Sequence, residues 1–150
     1  MLRRMQHTSF TVASMERSLA FYRGLLGLKV IADQGGAGGY LATVTGFPNV
    51  DIRVVFLALD GADHLLELIE YRSPVGTPAD VRTCNPGSAH ICFATDDILA
   101  DYERLTASGV RFRSAPVPIV GGRHKGGQTV YMLDPDGITL ELIQLPPGVR

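Results

Sequence analysis

The sequence predicts an α+β fold in which one set of elements, a strand, a helix and three further strands, occurs twice along the chain. Three observations carry this. The tetrapeptide Leu66-Glu67-Leu68-Ile69 returns as Leu140-Glu141-Leu142-Ile143, at the last strand of each half. A histidine, His7 in one half and His90 in the other, stands at the mouth of the first strand. Between the halves, Arg72 to Pro86 holds Pro74, Pro78 and Pro86 with little apolar periodicity, which is the composition of a linker. The expected organisation is a single domain over 1–150, built from modules 1–72 and 87–150 joined by residues 73–86.

The elements follow in order. Thr8 to Val12 reads as a strand. Ser14 is placed to N-cap a helix on which Met15, Leu19, Tyr22, Leu25 and Leu26 recur at helical spacing, and Gly27 stops it. Leu28 to Ala32 reads as a strand that dissolves into Asp33 to Gly39, where four glycines argue for a flexible stretch. Tyr40 to Phe47 reads as a short helical lid. Ile52 to Leu59 and Leu65 to Tyr71 are strands joined across the Asp60-Gly61 turn. The order then restarts. Ala89 to Ala94 is a strand, Asp96 caps a helix with the stripe Ile98, Leu99, Tyr102 and Leu105, and Gly109 ends it before the strand Val110 to Arg113. Gly121 to Gly127 is a loop, and Thr129 to Leu133 and Ile138 to Leu142 are strands joined by Asp134-Pro135-Asp136-Gly137.

Composition excludes several classes. The chain has 150 residues, 45% hydrophobic and 19% charged, which suffices for a core and excludes disordered and fibrous classes. Fourteen Lys and Arg against fifteen Asp and Glu leave a net charge of -1, without the basic footprint of nucleic-acid binding. Cys84 and Cys92 form neither a C-x-x-C pair nor a disulfide framework, so reduced thiols are expected. Gln6, His7, Thr8 and Ser9 interrupt the stretch in which a signal peptide would be apolar, and no window approaches a membrane span of roughly 20 apolar residues. The expectation is a soluble cytoplasmic protein.

The chemistry is expected at His7, Glu67, His90 and Glu141. Each glutamate stands between two leucines on a strand, so its side chain points away from theirs. Taken singly, a strand glutamate is usually a solvated polar position. Repeated in register in both halves, two imidazoles and two carboxylates form a mixed nitrogen and oxygen set that suits Zn, Ni, Co, Mn or Fe(II) without choosing among them. Arg123, His124 and Lys125, set between glycine pairs, could hold a carboxylate or phosphate of a substrate. Cys92 shares its strand face with His90, and His64 is read as a surface residue.

The segments from His7 to Leu28, Leu66-Glu67-Leu68, Gly87 to Phe93 and Asp134 to Leu142 together resemble the vicinal oxygen chelate superfamily, the glyoxalase, bleomycin-resistance and extradiol dioxygenase group. The ligand pattern is most similar to glyoxalase I and methylmalonyl-CoA epimerase. The resemblance implies two βαβββ modules in an open, cup-shaped mixed sheet around one divalent metal ion, with His7, Glu67, His90 and Glu141 as its ligands. It further implies a metal-dependent lyase, isomerase or epimerase that stabilises an enediolate of a small substrate with vicinal oxygens. Glu141 is then the first candidate for general base and Glu67 the second. Lys125-Gly126-Gly127 resembles the loop that meets the acidic part of a thiol cofactor. An Fe(II) extradiol-type dioxygenase, or a non-catalytic small-molecule or antibiotic-binding protein of the same fold, is the alternative. The expected partners are a small-molecule substrate and a second copy in a homodimer, with neither nucleic acid nor membrane.

Overall fold

The computed structural model describes residues 1–149. It is an α+β fold with two mixed sheets, and the chain divides into two compact units, Met1–Pro78 and Ala79–Arg150.

In the first unit, β1 (His7–Thr11), β2 (Lys29–Ala37), β3 (Asp51–Ala58) and β4 (Leu65–Ser73) lie in the order β1-β4-β3-β2. β1 runs parallel to β4, and the other pairings are antiparallel. Alternation sorts the side chains of this sheet onto two faces. On one, Phe10, Val55, Leu57, Leu66 and Leu68 are all buried. The helix α1 (Met15–Leu19) contacts β4 and adds Met15 and Leu19 to the buried set. It continues into a π-helical turn, Ala20–Leu25, which buries Phe21 and Tyr22. Ser14 caps α1 as its sequence position predicts, accepting from the Arg17 amide at 3.4 Å. Gly27 closes the segment at φ 79°, a backbone region that favours glycine.

Two expectations in this unit need correction. Asp33 to Ala37 is not a flexible stretch but the second half of β2, paired residue for residue with Asp51 to Val55. Its backbone ladder supplies what the glycines lack in propensity. Arg53 of β3 adds a fork onto Asp33, at 2.9 and 2.7 Å, and reaches Glu16 of α1 at 2.6 Å. Those Arg53 hydrogen bonds hold the Asp33 carboxyl below the usual aspartate range. The strand β4 also extends past the expected Tyr71 to Ser73.

The segment read as a short helical lid, Tyr40 to Phe47, forms the helix α2 (Gly39–Thr45). Leu41 and Ala42 pack on a cluster of Val50, Ile52 and Val54 together with Phe56, Ile69 and Tyr71. Gly36 makes room for this, since a Cβ there would stand 2.8 Å from Leu41 Cδ1. Ile52, Val54 and Phe56 alternate with the residues of the α1 side, so α2 covers part of the opposite sheet face, the one that carries Glu67.

In the second unit, β5 (Ile91–Ala94), β6 (Arg111–Phe112), β8 (Gln128–Leu133) and β9 (Thr139–Gln144) lie in the order β5-β9-β8-β6, and a short β7 (Val117–Pro118) also pairs with β8. The strand β7 was not expected; two residues with a proline carry no periodic signal. Val130, Met132, Leu140 and Leu142 are buried on one face, and α3 (Ile98–Ala107), which contacts β9, brings Ile98 and Leu105. Asp97, not Asp96, caps α3 and accepts from the Ala100 amide at 3.0 Å. Leu99 lies off the buried stripe and is exposed, while Tyr102 stacks edge-on against Phe112 at 4.7 Å between centroids. The Asp134 to Gly137 turn is closed by Asp134 itself, whose carboxylate accepts from the amides of Asp136 and Ile138 at 2.9 and 2.8 Å.

The repeat extends beyond the duplicated tetrapeptide. The next residue is Glu70 in one unit and Gln144 in the other. Glu70 Oε1 accepts from the Met15 amide at 3.1 Å, and Gln144 Oε1 accepts from the Ile98 amide at 3.0 Å. Each side chain therefore satisfies an orphan amide in the first turn of the helix of its unit and ties that helix to the last strand. No helix among the described residues is long and apolar enough to cross a membrane.

Candidate functional site

Each unit brings together one of the expected histidines with one of the expected glutamates. In the first, His7 on β1 and Glu67 on β4 meet with Nε2 and Oε2 3.4 Å apart. In the second, His90, one residue before β5, meets Glu141 on β9 with Nε2 and Oε2 3.3 Å apart. The environments match as closely as the distances. The glutamates are 14% and 18% exposed and the histidines 39% and 37%. His7 stands edge-on to Phe56 at 5.7 Å between centroids, and His90 is tilted over Tyr131 at 5.2 Å.

Strand register explains the duplication. Ser9 and Phe56 flank Glu67 on its two neighbouring strands, as Cys92 and Tyr131 flank Glu141. Residues opposite one another in register share a face, so each carboxylate projects from the side that does not carry the leucines. The Val12 amide bonds the Ile69 carbonyl at 2.8 Å, and the Thr95 amide bonds that of Ile143 at 2.9 Å, which fixes the exit of each first strand alike.

The donor chemistry fits a divalent cation. The Gln6 side-chain oxygen, which can only accept, bonds His7 Nδ1. A neutral imidazole with its proton on Nδ1 would present Nε2 as a lone pair toward the Glu67 carboxylate. Two acceptors at 3.4 Å repel unless a positive charge stands with them. Two ligand atoms bound at right angles to one ion, with bonds of about 2.1 Å, lie about 3 Å apart, close to the separation in both pairs. Among the described residues, no group of three or more His, Cys, Asp or Glu is placed to hold a metal, and the structure brings the four expected residues together only as two separate pairs, one in each unit.

Glu141 has a richer polar environment than Glu67. Thr129 Oγ1 lies 2.5 Å from Glu141 Oε1 and 3.0 Å from the Leu142 carbonyl. Burial, and then the negative charge of Glu141, pushes the Cys92 thiol up to about 12. The same causes raise the Tyr131 phenol. Both groups are neutral at physiological pH, so Cys92 offers no thiolate nucleophile. The Thr129 hydroxyl was not anticipated from the sequence, because the internal repeat marks only residues common to both halves.

Arg123, His124 and Lys125 form the turn between β7 and β8, closed by the Lys125 amide on the Gly122 carbonyl at 3.3 Å and the Gly127 amide on the His124 carbonyl at 3.0 Å. Arg123 and Lys125 are exposed and His124 is half-buried. Gly127 anchors the turn, since a Cβ there would lie 2.4 Å from the Gln144 carbonyl oxygen. His64 is exposed, as expected, with Nε2 2.9 Å from Thr8 Oγ1.

A family description, Glyoxalase/Bleomycin resistance protein/Dioxygenase superfamily, matches residues 4–142. The chain is 30% identical to a 2-epi-5-epi-valiolone epimerase of Actinomyces sp., over 95% of this chain and 79% of that protein. It is 30% identical to an ethylmalonyl-CoA/methylmalonyl-CoA epimerase of Cereibacter sphaeroides, over 97% and 100%. To a lactoylglutathione lyase of Haemophilus influenzae it is 27% identical, over 92% and 90%. Among solved structures, a glyoxalase family protein from Bacillus cereus superposes with a TM-score of 0.79 at 22% identity, covering 97% of this chain and 95% of that one. An antibiotic binding protein from a Streptomyces species gives a TM-score of 0.65 at 28% identity, over 97% and 98%.

Proposed function

The chain belongs to the Glyoxalase/Bleomycin resistance protein/Dioxygenase superfamily, and from that premise we propose that it is a metal-dependent lyase or isomerase, of the epimerase kind among the latter, acting on a small substrate with vicinal oxygens. The observation that carries this reading is the duplicated pair, His7 with Glu67 and His90 with Glu141, at 3.4 and 3.3 Å on matching strand positions. These four residues are the proposed ligands of one divalent ion. When bound, such an ion supplies Lewis-acid polarisation of a carbonyl and so acidifies the neighbouring C–H.

The chain's own residues supply the rest. A carboxylate beside that carbon takes the proton and returns it to the same or an adjacent atom, and where the proton returns separates epimerisation from isomerisation. Glu141 is the first choice for this base and Glu67 the second. Both are largely buried, so each is shielded from bulk water. Arg123, His124 and Lys125 are the proposed contacts for an acidic group on the substrate. A homodimer is the proposed assembly, checked by sedimentation.

Chelator-treated protein, assayed in D2O with and without added divalent metals against a hemithioacetal of a 2-oxoaldehyde and a 2-substituted malonyl thioester, tests the reading. Turnover that needs the metal and carries solvent deuterium into the product is expected. Undiminished turnover by the chelated protein, or O2-dependent cleavage of a catechol instead, contradicts it. The likeness to an antibiotic binding protein favours a second reading, ligand sequestration without turnover. That reading predicts ligand affinity retained in His7→Ala and His90→Ala proteins.

A further inference from the structure

The two pairs are alike, but the positions around them are not. Register aligns the units residue by residue: Ile69 lies opposite Val54, and Ile143 lies opposite Thr129. Thr129 is therefore the counterpart of Val54, as Tyr131 is of Phe56 and Cys92 of Ser9. Where the first unit presents a valine methyl to the strand of its glutamate, the second presents a hydroxyl, 2.5 Å from Glu141 Oε1.

That hydroxyl has one proton and two acceptors in reach, the Glu141 carboxylate and the Leu142 carbonyl at 3.0 Å. The shorter, charge-assisted bond takes it. Thr129 is β-branched and therefore stiff about χ1, and it sits inside β8 with its backbone fixed by the ladder. With Oε1 held by Thr129, Oε2 is the oxygen left to face His90, as observed at 3.3 Å. No donor reaches Glu67 from the matching position, because a valine side chain has none.

From this asymmetry we infer that Thr129 is a positioning residue, which fixes the orientation of Glu141 so that one chosen oxygen is presented toward His90, while Glu67 is left to turn on its own strand. The inference rests on the proposed metal reading and deepens it: the two glutamates are unequal ligands, and the inequality is written into a single hydroxyl. Outer partners of this kind set the geometry of a ligand, and their loss typically weakens metal affinity by about 10–100-fold.

The test uses the whole chain, freed of metal by chelation, and Co²⁺ alone as the probe, read by calorimetric titration and by the visible d–d spectrum. Thr129→Val, which copies the Val54 of the other unit, is expected to bind Co²⁺ about 10–100-fold more weakly and to shift the spectrum. Thr129→Ser, which keeps the hydroxyl, is expected to restore both affinity and spectrum, and thermal melts of all three proteins report whether they fold alike. A Val variant with wild-type affinity and spectrum overturns the inference. So does a Ser variant that fails as badly as Val, since the packing of the threonine would then matter and not its proton. Wild-type protein that binds no Co²⁺ removes the metal reading itself and this inference with it, an outcome separate from either variant result.

Discussion

Glu141→Gln is expected to lower kcat/KM by about 10²–10⁴-fold, the range lost with a general base, while the protein melts as the wild type does. The substitution keeps the shape and one oxygen of the side chain, and it removes the charge and the ability to take a proton. Folding should be indifferent because Glu141 projects from the face of β9 that carries no leucine, and its neighbours Leu140 and Leu142 supply the core contacts. Glu67→Gln is expected to fold equally well and to lose less. Steady-state kinetics on the responsive substrate, with melts as control, checks both. An active Glu141→Gln protein removes Glu141 as the base.

The adjacent residue should behave in the opposite way. Leu140 is fully buried beside Met132, Leu142 and Val130. Leu140→Ala is expected to cost about 2–5 kcal/mol through lost burial and the cavity left behind. Against a total stability of about 5–15 kcal/mol, that is a large fraction. For a chain of this size it corresponds to a fall in melting temperature of about 4–20 °C. At a temperature where the variant is still folded, its kcat/KM should stay near that of the wild type. Thermal denaturation followed by circular dichroism measures the first effect and the activity assay the second. A Leu140→Ala protein as stable as wild type would mean that the alternation of core and site faces on β9 is misassigned.

Those neighbours also show what the sequence made legible. The alternation Leu-Glu-Leu-Ile, found twice, was enough to orient both carboxylates, and a histidine at the mouth of each first strand was enough to pair with them. Repetition is a signal that survives ignorance of the fold. What repetition cannot reveal is difference, and Thr129 against Val54 is a difference, visible only once the register places the two positions side by side. The caps from Glu70 and Gln144 escaped notice for a related reason, because both acceptors lie 46 or more positions from the amides they meet. Elsewhere local propensity misled. The glycines of β2 read as a break, yet pairing along β3 and the Arg53 fork on Asp33 hold the strand. The N-cap of α3 fell one residue late because Asp96 and Asp97 offer the same side chain and only backbone geometry separates them.

His7, Glu67, His90 and Glu141 are proposed as the ligands of a divalent metal ion. Elemental analysis of untagged protein, stripped with chelator, reloaded in turn with Zn, Ni, Co, Mn and Fe(II) and then desalted, tests this assignment most directly. About one retained equivalent per chain is expected for at least one of these metals, and its loss in the doubly substituted His7→Ala, His90→Ala protein. Wild-type protein that retains none of them in stoichiometric amount, or a doubly substituted protein that retains as much as the wild type, would contradict it.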